Sequence, residues 1–509
     1  MRLPDKAEWI KAAQKEIEEL EEHGVWEEVP LSDVGNCQIV PSTWVFRLKR
    51  APDGTILKRK ARICLRGDLM KGFTDTYSPV VAFSTIRMFL VISLMLDYKT
   101  CSIDFSNAFV QAEMKERIYM KIPNGFKSSS GDGKCLKLLR SLYGSLIAPK
   151  MWSSLLFSAF RDLGFTQSSL DKCLWYKKDI FVIIYVDDCG ISAKTTELID
   201  ELIEQLRGKG FKLTKEGTFS EFLGIQYSSD SDGNIHLSQE GLIKKILSTT
   251  GLEGANPNKL PAKCEPLGMD PDGEPFDEPW NYPSVVGMLL YLSTNTCPDI
   301  TFAVSQVARF THSPKKSHGI AVKIIVRKKQ GTIVSKFHAL DVEGYSDADF
   351  CGLFGYDPSH LISSAQSRSG YIIKVAGCPL VWKSQLMQSV CLSTAESEYY
   401  SLSLLMRALI PIRALLHEMI SMLQIPCNVQ AVKFTVNVDN MAAITLAVEQ
   451  KITSRTRHYH SKMHHFWAEV NEGQYDIIYC RTSEMIADYL TKGLPVDKFV
   501  YIRHKVQGW

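Results

Sequence analysis

Two stretches of this chain end an apolar run on carboxylates. In FVIIYVDDCG, residues 181–190, Asp187 and Asp188 stand side by side behind six β-branched or aromatic residues, and in TCSIDFSNAF Asp104 closes a similar run. Adjacent like charges repel, and burying either one is costly unless positive charge lies between them. A β-turn is one reading, since an acid just before a glycine often closes a hairpin. The other is chemical. Strand-end acids converging in one sheet would hold two divalent cations through hard oxygen ligands and leave positions open for substrate phosphates. Cations about 3.5–4 Å apart suit phosphoryl transfer, one activating the attacking oxygen and the other stabilising the leaving one.

A second set of acids lies toward the C-terminus. GYSDADF, STAESEYYSL, NVDNMAAI and SEMIADYLTKGL supply Asp347, Glu396, Asp439 and Asp488. Taken singly, each has a solvated surface carboxylate as its ordinary reading. Close by, SRTRHYHSKMHHF carries Arg455, Arg457, His458, Lys462 and His464 and reads as a phosphate-tracking helix. His460 and His464, four apart, would share a helix face, but no cysteine or acid nearby completes a zinc site.

The elements that must position these groups follow from composition and pattern. A chain of 509 residues exceeds one core, so about three domains are expected. The net charge of +3 neither demands nor excludes a nucleic-acid partner, so any basic footprint must be local. Thirteen cysteines occur with no Cys-x-x-Cys pair, which argues against a zinc ribbon or redox motif and fits free thiols in a reducing compartment. The N-terminal segment reads as a charged amphipathic helix rather than a targeting signal, and MFLVISLML (Met88–Leu96) is too short to span a bilayer. A soluble, intracellular protein is expected.

The pattern IVPSTWVFRLKRAPDGTILKRKARICLRG predicts a hairpin dense in Arg and Lys, either an edge protected by charge or a flap that grips phosphates. Strands and helices then alternate to about residue 251, predicting an α/β or α+β domain. A Pro-, Gly- and acid-rich stretch from Leu252 to Trp280 reads as a linker, a helical region follows, and strand–helix alternation resumes from about Phe337.

KARICLRGD, TYSPVVAFSTIR, SIDFSNAFVQAEMKERIYMKIPNGF, LRSLYGSLIAPKMW, YVDD and FLGIQ occur in the order seen in copia-type retrotransposon reverse transcriptases, and the C-terminal acid motifs resemble the ribonuclease H that follows them. The resemblance runs from about Trp9 to about Phe499. It implies an α+β and α/β multidomain chain: a right-hand polymerase of fingers, palm and thumb over residues 1–251, a linker and connection over 252–336, and a ribonuclease H-like domain over 337–509. It implies RNA-directed DNA synthesis coupled to cleavage of RNA in RNA–DNA hybrids, with two magnesium ions at each site. Asp104, Asp187 and Asp188 match the palm's catalytic and metal-binding acids; Asp347, Glu396, Asp439 and Asp488 match those of the nuclease. Lys60 and Arg62 match the triphosphate-binding fingers, Phe109 the aromatic gate against a ribose 2′-hydroxyl, Tyr143 and Gly144 the turn beneath the incoming nucleotide, and Tyr185 the first residue of YVDD. Arg455, Arg457, His458 and Lys462 fall to the nucleic acid. The implied partners are an RNA template, a DNA primer, their hybrid and deoxynucleoside triphosphates, without a membrane, in a cytoplasmic particle or the nucleus.

The chain departs from that family at Leu146 and Ile147, where a Lys–Gln pair is usual; at His460, often an acid; near Gly319, where a Trp is usual; and near Lys328 and Lys329, where an aromatic–aliphatic pair is usual. Losing a core side chain costs on the order of 2–5 kcal/mol where the surroundings are unchanged, so a loosened connection is expected. The competing functional reading is a decayed remnant that only binds nucleic acid. A template-independent nucleotidyltransferase would share the first acid site but leaves the C-terminal block unexplained.

Overall fold

The computed structural model describes residues 5–50, 56–126, 133–327, 331–334, 340–425, 432–449 and 460–508. It resolves into two compact units: Met1–Val81 with Lys99–Thr218, and Ala82–Tyr98 with Phe219–Trp509. Compactness thus divides the chain at other points than composition does.

In the first unit, helix α1 (Lys6–Glu22) precedes β1 (Trp26–Pro30), β2 (Ile39–Val40) and the expected basic hairpin of β3 (Ser42–Arg50) and β4 (Ile56–Leu65). Residues alternate across the β4 pleat: Ala61, Ile63 and Leu65 are buried, while Lys60 is exposed and Arg62 half-buried. Helix α1 covers this hairpin, with Trp9 edge-on to Phe46 at 5.4 Å and Asp5 paired to Arg59 at 3.1 Å. The next helix, α2 (Phe83–Met95), belongs to the second unit; the chain returns with β5 (Lys99–Phe105), α3 (Ala108–Gln111), β6 (Tyr119–Met120), β7 (Lys134–Leu138), α4 (Ala148–Asp162), β8 (Thr166–Gln167), β9 (Leu174–Lys177), β10 (Ile180–Tyr185), β11 (Asp188–Ala193), α5 (Thr196–Gly208) and β12 (Leu213–Gly217). Six strands form one antiparallel sheet in the order β12-β5-β11-β10-β9-β8. Helices α4 and α5 bury stripes at helical spacing, Trp152, Leu156, Ala159 and Phe160 on one and Ile199, Leu202, Ile203 and Leu206 on the other. A smaller sheet, β1-β7-β6-β2, completes the unit.

In the second unit, β13 (Glu221–Phe222), β14 (Ile225–Ser229) and β15 (Ile235–Ser238) lead to α6 (Glu240–Thr250). No helix or strand occurs between α6 and α7 (Tyr282–Asn295), as the Pro- and Gly-rich composition predicts. Helices α7, α8 (Thr301–Ala308) and α9 (Lys316–Val326) share a core that includes Val285, Val286, Leu289, Val304 and Val322. Strand β16 (Thr332–Val334) closes the sheet β13-β14-β15-β16. Helix α2 is buried on nearly all sides, and its Arg87 donates to Leu380 O at 2.7 Å and to Asn295 O at 3.0 Å, with Trp382 stacked at 4.2 Å. Carbonyls at the C-terminal end of α7 present partial negative charge, which suits a buried guanidinium without a carboxylate.

The C-terminal part is a five-stranded mixed sheet. It contains β17 (Val342–Asp349), β18 (Arg368–Val375), β19 (Cys378–Leu386), β20 (Phe434–Val438) and β21 (Asp476–Tyr479), with α10 (Thr394–Met422), α11 (Met441–Glu449), α12 (His460–Asn471) and α13 (Val496–Gln507). The order is β19-β18-β17-β20-β21, antiparallel through β17 and parallel from β17 to β21. Counting these strands from β17 gives 3-2-1-4-5, an arrangement that fits a ribonuclease H-like domain. Helix α10 is long and apolar enough to cross a membrane by length and composition, but it buries Leu402, Leu405, Met406 and Leu409 within the unit as a core helix.

The loosened connection expected at Gly319 is corrected by the packing. A Cβ there would stand 2.9 Å from Cε2 of Phe276, so this ring already fills the space beside the glycine, and Phe276 packs edge-on to Trp280 at 4.7 Å. With that ring in place no empty space is left beside Gly319, so the cavity cost does not apply. Lys328 and Lys329 lie outside the described residues.

Candidate active sites

The turn reading of the acid pair holds, and the same hairpin brings the acids to one end of the sheet. Strands β10 and β11 form a hairpin in which Tyr185 pairs with Asp188, so Val186 and Asp187 are the two turn residues. Val186 has φ +56°, a left-handed conformation that a β-branched residue rarely adopts. On the other side of β11, Asp188 lies directly opposite Asp104 of β5, and the backbone N–H of Phe105 donates to Asp187 O at 2.9 Å. Residues facing each other in antiparallel strands hold their Cβ atoms roughly 4.5–5.5 Å apart. All three acids are half-buried and end neighbouring strands of one sheet. Beneath them the Cys189 thiol is fully enclosed and held far above its ordinary range, by burial first and then by Asp188.

The residues expected around a nucleotide gather beside these acids. Arg62 lies over the ring of Tyr143 at 4.7 Å, and Phe109 meets the same ring edge-on at 5.4 Å. Burial pushes the Tyr143 hydroxyl up to about 12, with Arg62 opposing and Asp187 and Asp104 adding. The Lys60 ammonium is held below its ordinary range by burial and by Arg62, against the attraction of Glu16 and Asp104. Gly144 has φ +82°, and a Cβ there would stand 2.2 Å from Leu65 O, so only glycine lets this turn meet the end of β4. The adjoining contact is a 2.7 Å hydrogen bond from Leu65 N–H to Tyr143 O. Tyr185 is half-buried at the end of β10. Where the family has a polar pair, Ile147 is 3 % exposed and joins the apolar core with Leu20, Leu142 and Ile63, while Leu146 faces solvent.

The second constellation is tighter, and it corrects one assignment. Oxygens of Asp347, Glu398 and Asp439 all lie within 4.8 Å of one another, the one such group of three among the described residues. Glu396 is not part of it. Its Oε2 accepts the Leu392 N–H at 2.7 Å, and its own N–H donates to Ser393 Oγ at 3.2 Å. That is capping at the start of α10, and the pattern Ser393-x-x-Glu396 is its sequence signature. Two residues on, Glu398 points about 200° round the helix and reaches β17. Its Oε2 is buried without a hydrogen-bond partner. Burial, Asp347 and Asp439 together hold the Glu398 carboxyl well above the usual carboxylate range, against a hydrogen bond from the Ala348 N–H.

Asp347 is 2 % exposed and likewise raised by burial, with Lys492 opposing and Asp488 adding. Asp439, just after β20, is raised by burial and accepts from Thr482 Oγ1 at 3.1 Å. The fourth expected acid, Asp488, stands outside the close group. It is wholly buried, with Lys492 Nζ 2.8 Å from its Oδ1 and Lys498 hydrogen-bonded to its Oδ2. Lys492 Nζ also lies 3.8 Å from Asp347 Oδ2. Sequence reading missed Glu398, Lys492 and Lys498. Only the capping pattern could have signalled the first, and the two lysines act through tertiary contacts that no local pattern marks. Arg455, Arg457 and His458 lie outside the described residues, as does the side chain of Lys462 within α12.

Hard carboxylate donors at strand ends, joined in the second group by Glu398 of helix α10, suit divalent cations in both places, and the buried Glu398 oxygen without a hydrogen-bond partner fits a cation ligand better than a structural acid.

Comparison with known proteins gives these sites a family. Residues 24–264 match the family model described as reverse transcriptase (RNA-dependent DNA polymerase). The retrovirus-related Pol polyprotein from transposon TNT 1-94 of Nicotiana tabacum is 30% identical over 517 residues, covering 97% of this chain and 37% of its own. The corresponding polyprotein from transposon RE1 of Arabidopsis thaliana is 28% identical over 98% of this chain and 34% of its own. The chain spans about a third of the length of these relatives. A solved foamy viral protease-reverse transcriptase in complex with RNA/DNA hybrid is 13% identical, with a TM-score of 0.47 over 95% of this chain and 54% of that one, too distant to argue from. Residues 24–264 thus carry the reverse transcriptase match, and along nearly its whole length the chain is similar to Pol polyproteins of copia-type transposons.

Proposed function

We propose that this chain is the polymerase and nuclease portion of a copia-type retrotransposon polyprotein, copying RNA into DNA and cleaving the RNA strand of the hybrid. Residues 1–251 carry the polymerase, 252–336 the connection and 337–509 the nuclease. The observation that carries the first activity is the pairing of Asp104 against Asp188 with Asp187 in the adjoining turn, beside Lys60, Arg62, Phe109 and Tyr143. The second is carried by the close group of Asp347, Glu398 and Asp439.

Magnesium, when bound by the acids of each group, supplies the positive charge that phosphoryl transfer needs on its attacking and leaving oxygens. The remaining work falls to the chain. Arg62, already stacked on Tyr143, offers its guanidinium fork to triphosphate oxygens, and Lys60 adds a second cation. Phe109 stands at the edge of Tyr143, where an aromatic wall excludes a 2′-hydroxyl. The turn at Gly144 sets the height of that floor against β4. In the nuclease, Lys492 and Lys498 neutralise Asp488, and Thr491 donates to Asp347, so that the Glu398 carboxylate is the one left for a ligand. The proposed partners are an RNA template, a DNA primer and deoxynucleoside triphosphates.

The test is primer extension on an RNA template and cleavage of a labelled RNA–DNA hybrid, each with magnesium. Asp188→Asn should abolish extension and spare cleavage, and Asp439→Asn should do the reverse. Loss of both activities from either substitution in a folded protein would contradict two separate sites.

The departures that suggest a decayed copy weigh less after packing is considered. Ile147 is absorbed into a core and Gly319 is matched by Phe276, so neither leaves a void.

A further inference from the structure

The turn that aims Asp187 is built on a residue poorly suited to it. At φ +56° Val186 occupies the left-handed region, and a two-residue hairpin turn with that sign of φ ordinarily takes Gly, Asn or Asp. Such a conformation persists only where its surroundings over-determine it. The indole of Trp152 does this from below. Trp152 on α4 is 1 % exposed, and its Nε1–H donates to Val186 O at 2.6 Å. Its ring packs edge-on to Phe105 at 5.2 Å and to Phe211 at 5.9 Å. Phe105 in turn donates its backbone N–H to Asp187 O. Two successive carbonyls of the turn are therefore gripped by two residues that pack on each other, and one of these, Phe105, directly follows Asp104.

We infer that Trp152 is a positioning residue for the polymerase: its indole N–H holds the Val186 carbonyl and so fixes the left-handed turn that presents Asp187 and Asp188 opposite Asp104. Trp152 itself touches neither substrate nor the reacting atoms. An aromatic at this place for packing alone would need no donor; a donor aimed at the one strained peptide of the hairpin acts on the turn.

The inference rests on the polymerase reading, and the test separates the two. Trp152→Phe keeps an aromatic ring beside Phe105 and Phe211 but removes the donor. In steady-state primer extension it should lower kcat about tenfold, the loss expected for one buried hydrogen bond, with KM for the deoxynucleotide within about twofold of the parent value. Adding Val186→Gly should recover several-fold of that kcat, since glycine adopts positive φ without strain and no longer needs the clamp. Hybrid cleavage by the same molecule, and its melting temperature, report whether the chain stays folded. If Trp152→Phe fails to fold, benzothienylalanine at position 152, which keeps the fused rings and replaces N–H by sulfur, removes the same donor and carries the same expectation. Parent-like kcat in the donor-less protein, or no recovery from Val186→Gly, overturns the role of Trp152. Absence of extension by the unmodified chain overturns the polymerase reading instead.

Discussion

Glu396 and Glu398 offer the sharpest test of the proposed nuclease site, because they sit two residues apart on one helix and differ in what surrounds them. Glu398 is 8 % exposed, and its carboxylate lies within 4.8 Å of those of Asp347 and Asp439. Without metal, burial and the two neighbouring acids hold the Glu398 carboxyl protonated above the ordinary carboxylate range, a cost to folding at neutral pH that Glu398→Gln does not carry; with metal, the same substitution removes a ligand. In chelator the variant should therefore melt higher than the parent, by about 2–4 °C for each kcal/mol relieved. With magnesium the order should reverse, because the parent gains more from the ion. Hybrid cleavage should fall by about 10²–10³-fold, equivalent to roughly 3–4 kcal/mol of transition-state stabilisation. Glu396→Ala should behave in the opposite way. It loses the 2.7 Å bond to Leu392 N–H at the start of α10, costing about 1 kcal/mol of stability with or without metal, and keeps most of the cleavage. Circular-dichroism melts with and without magnesium, beside a hybrid cleavage assay, separate the two. If Glu396→Ala abolished cleavage while Glu398→Gln retained it, the placement of the nuclease ligand would be wrong.

Three further expectations concern other elements. Phe109→Ala should raise the ratio of ribonucleotide to deoxyribonucleotide incorporation, and an unchanged ratio in an active enzyme would leave Phe109 as packing against Tyr143 alone. Arg62→Gln should raise KM for deoxynucleotides about tenfold, the loss of a charge-assisted pair, with little change in melting temperature because Arg62 is only half-buried; a protein that simply unfolds would refute the phosphate role. Gly319→Trp, which brings in the residue usual near this position in the family, should destabilise the chain by about 1–3 kcal/mol in a thermal melt because Phe276 already occupies the space, and a gain in stability would refute that account.

Much of this was legible before any coordinates. The alternation in β4 gave the basic hairpin, and the composition between Leu252 and Trp280 gave a stretch without helix or strand. Strand-end placement suggested the convergence of Asp104 and Asp188, and the fold achieves it because Asp104 lies at the end of β5 while Asp188 opens the antiparallel β11. What stayed hidden depends on tertiary partners. Helix α2 follows the hairpin in sequence, yet its Arg87 is claimed by carbonyls more than two hundred residues away, and periodicity says nothing about which surface an all-apolar helix will join. For the basic hairpin the sequence left a charge-protected edge and a phosphate-gripping flap both open, and the structure shows α1 taking Arg59 through Asp5 and setting Glu16 near Lys60 and Arg62. Glu398 was passed over for Glu396 because motif order locates an acid only to within a residue or two, whereas helix geometry turns those two residues to opposite sides.

The two acid groups also answer the cost of like charge differently. Asp104, Asp187 and Asp188 are half-buried at strand ends, where water and the cations of Lys60 and Arg62 share the task. In the C-terminal group burial is nearly complete, and the chain brings its own counter-ions: Lys492, where burial would lower the ammonium's pKa, is held above its ordinary range by Asp347 and Asp488. Two ammoniums around Asp488 leave it little unbalanced charge, whereas Glu398 makes no ion pair among the described residues, feels Lys492 only weakly, and keeps a buried oxygen without a hydrogen-bond partner. A buried carboxyl without such a partner must stay protonated or find a cation. That difference explains why the buried C-terminal acids resolve into a close three, Asp347, Glu398 and Asp439, and a neutralised Asp488, and it makes Glu398, the one the motif left out, the residue on which metal affinity should depend most.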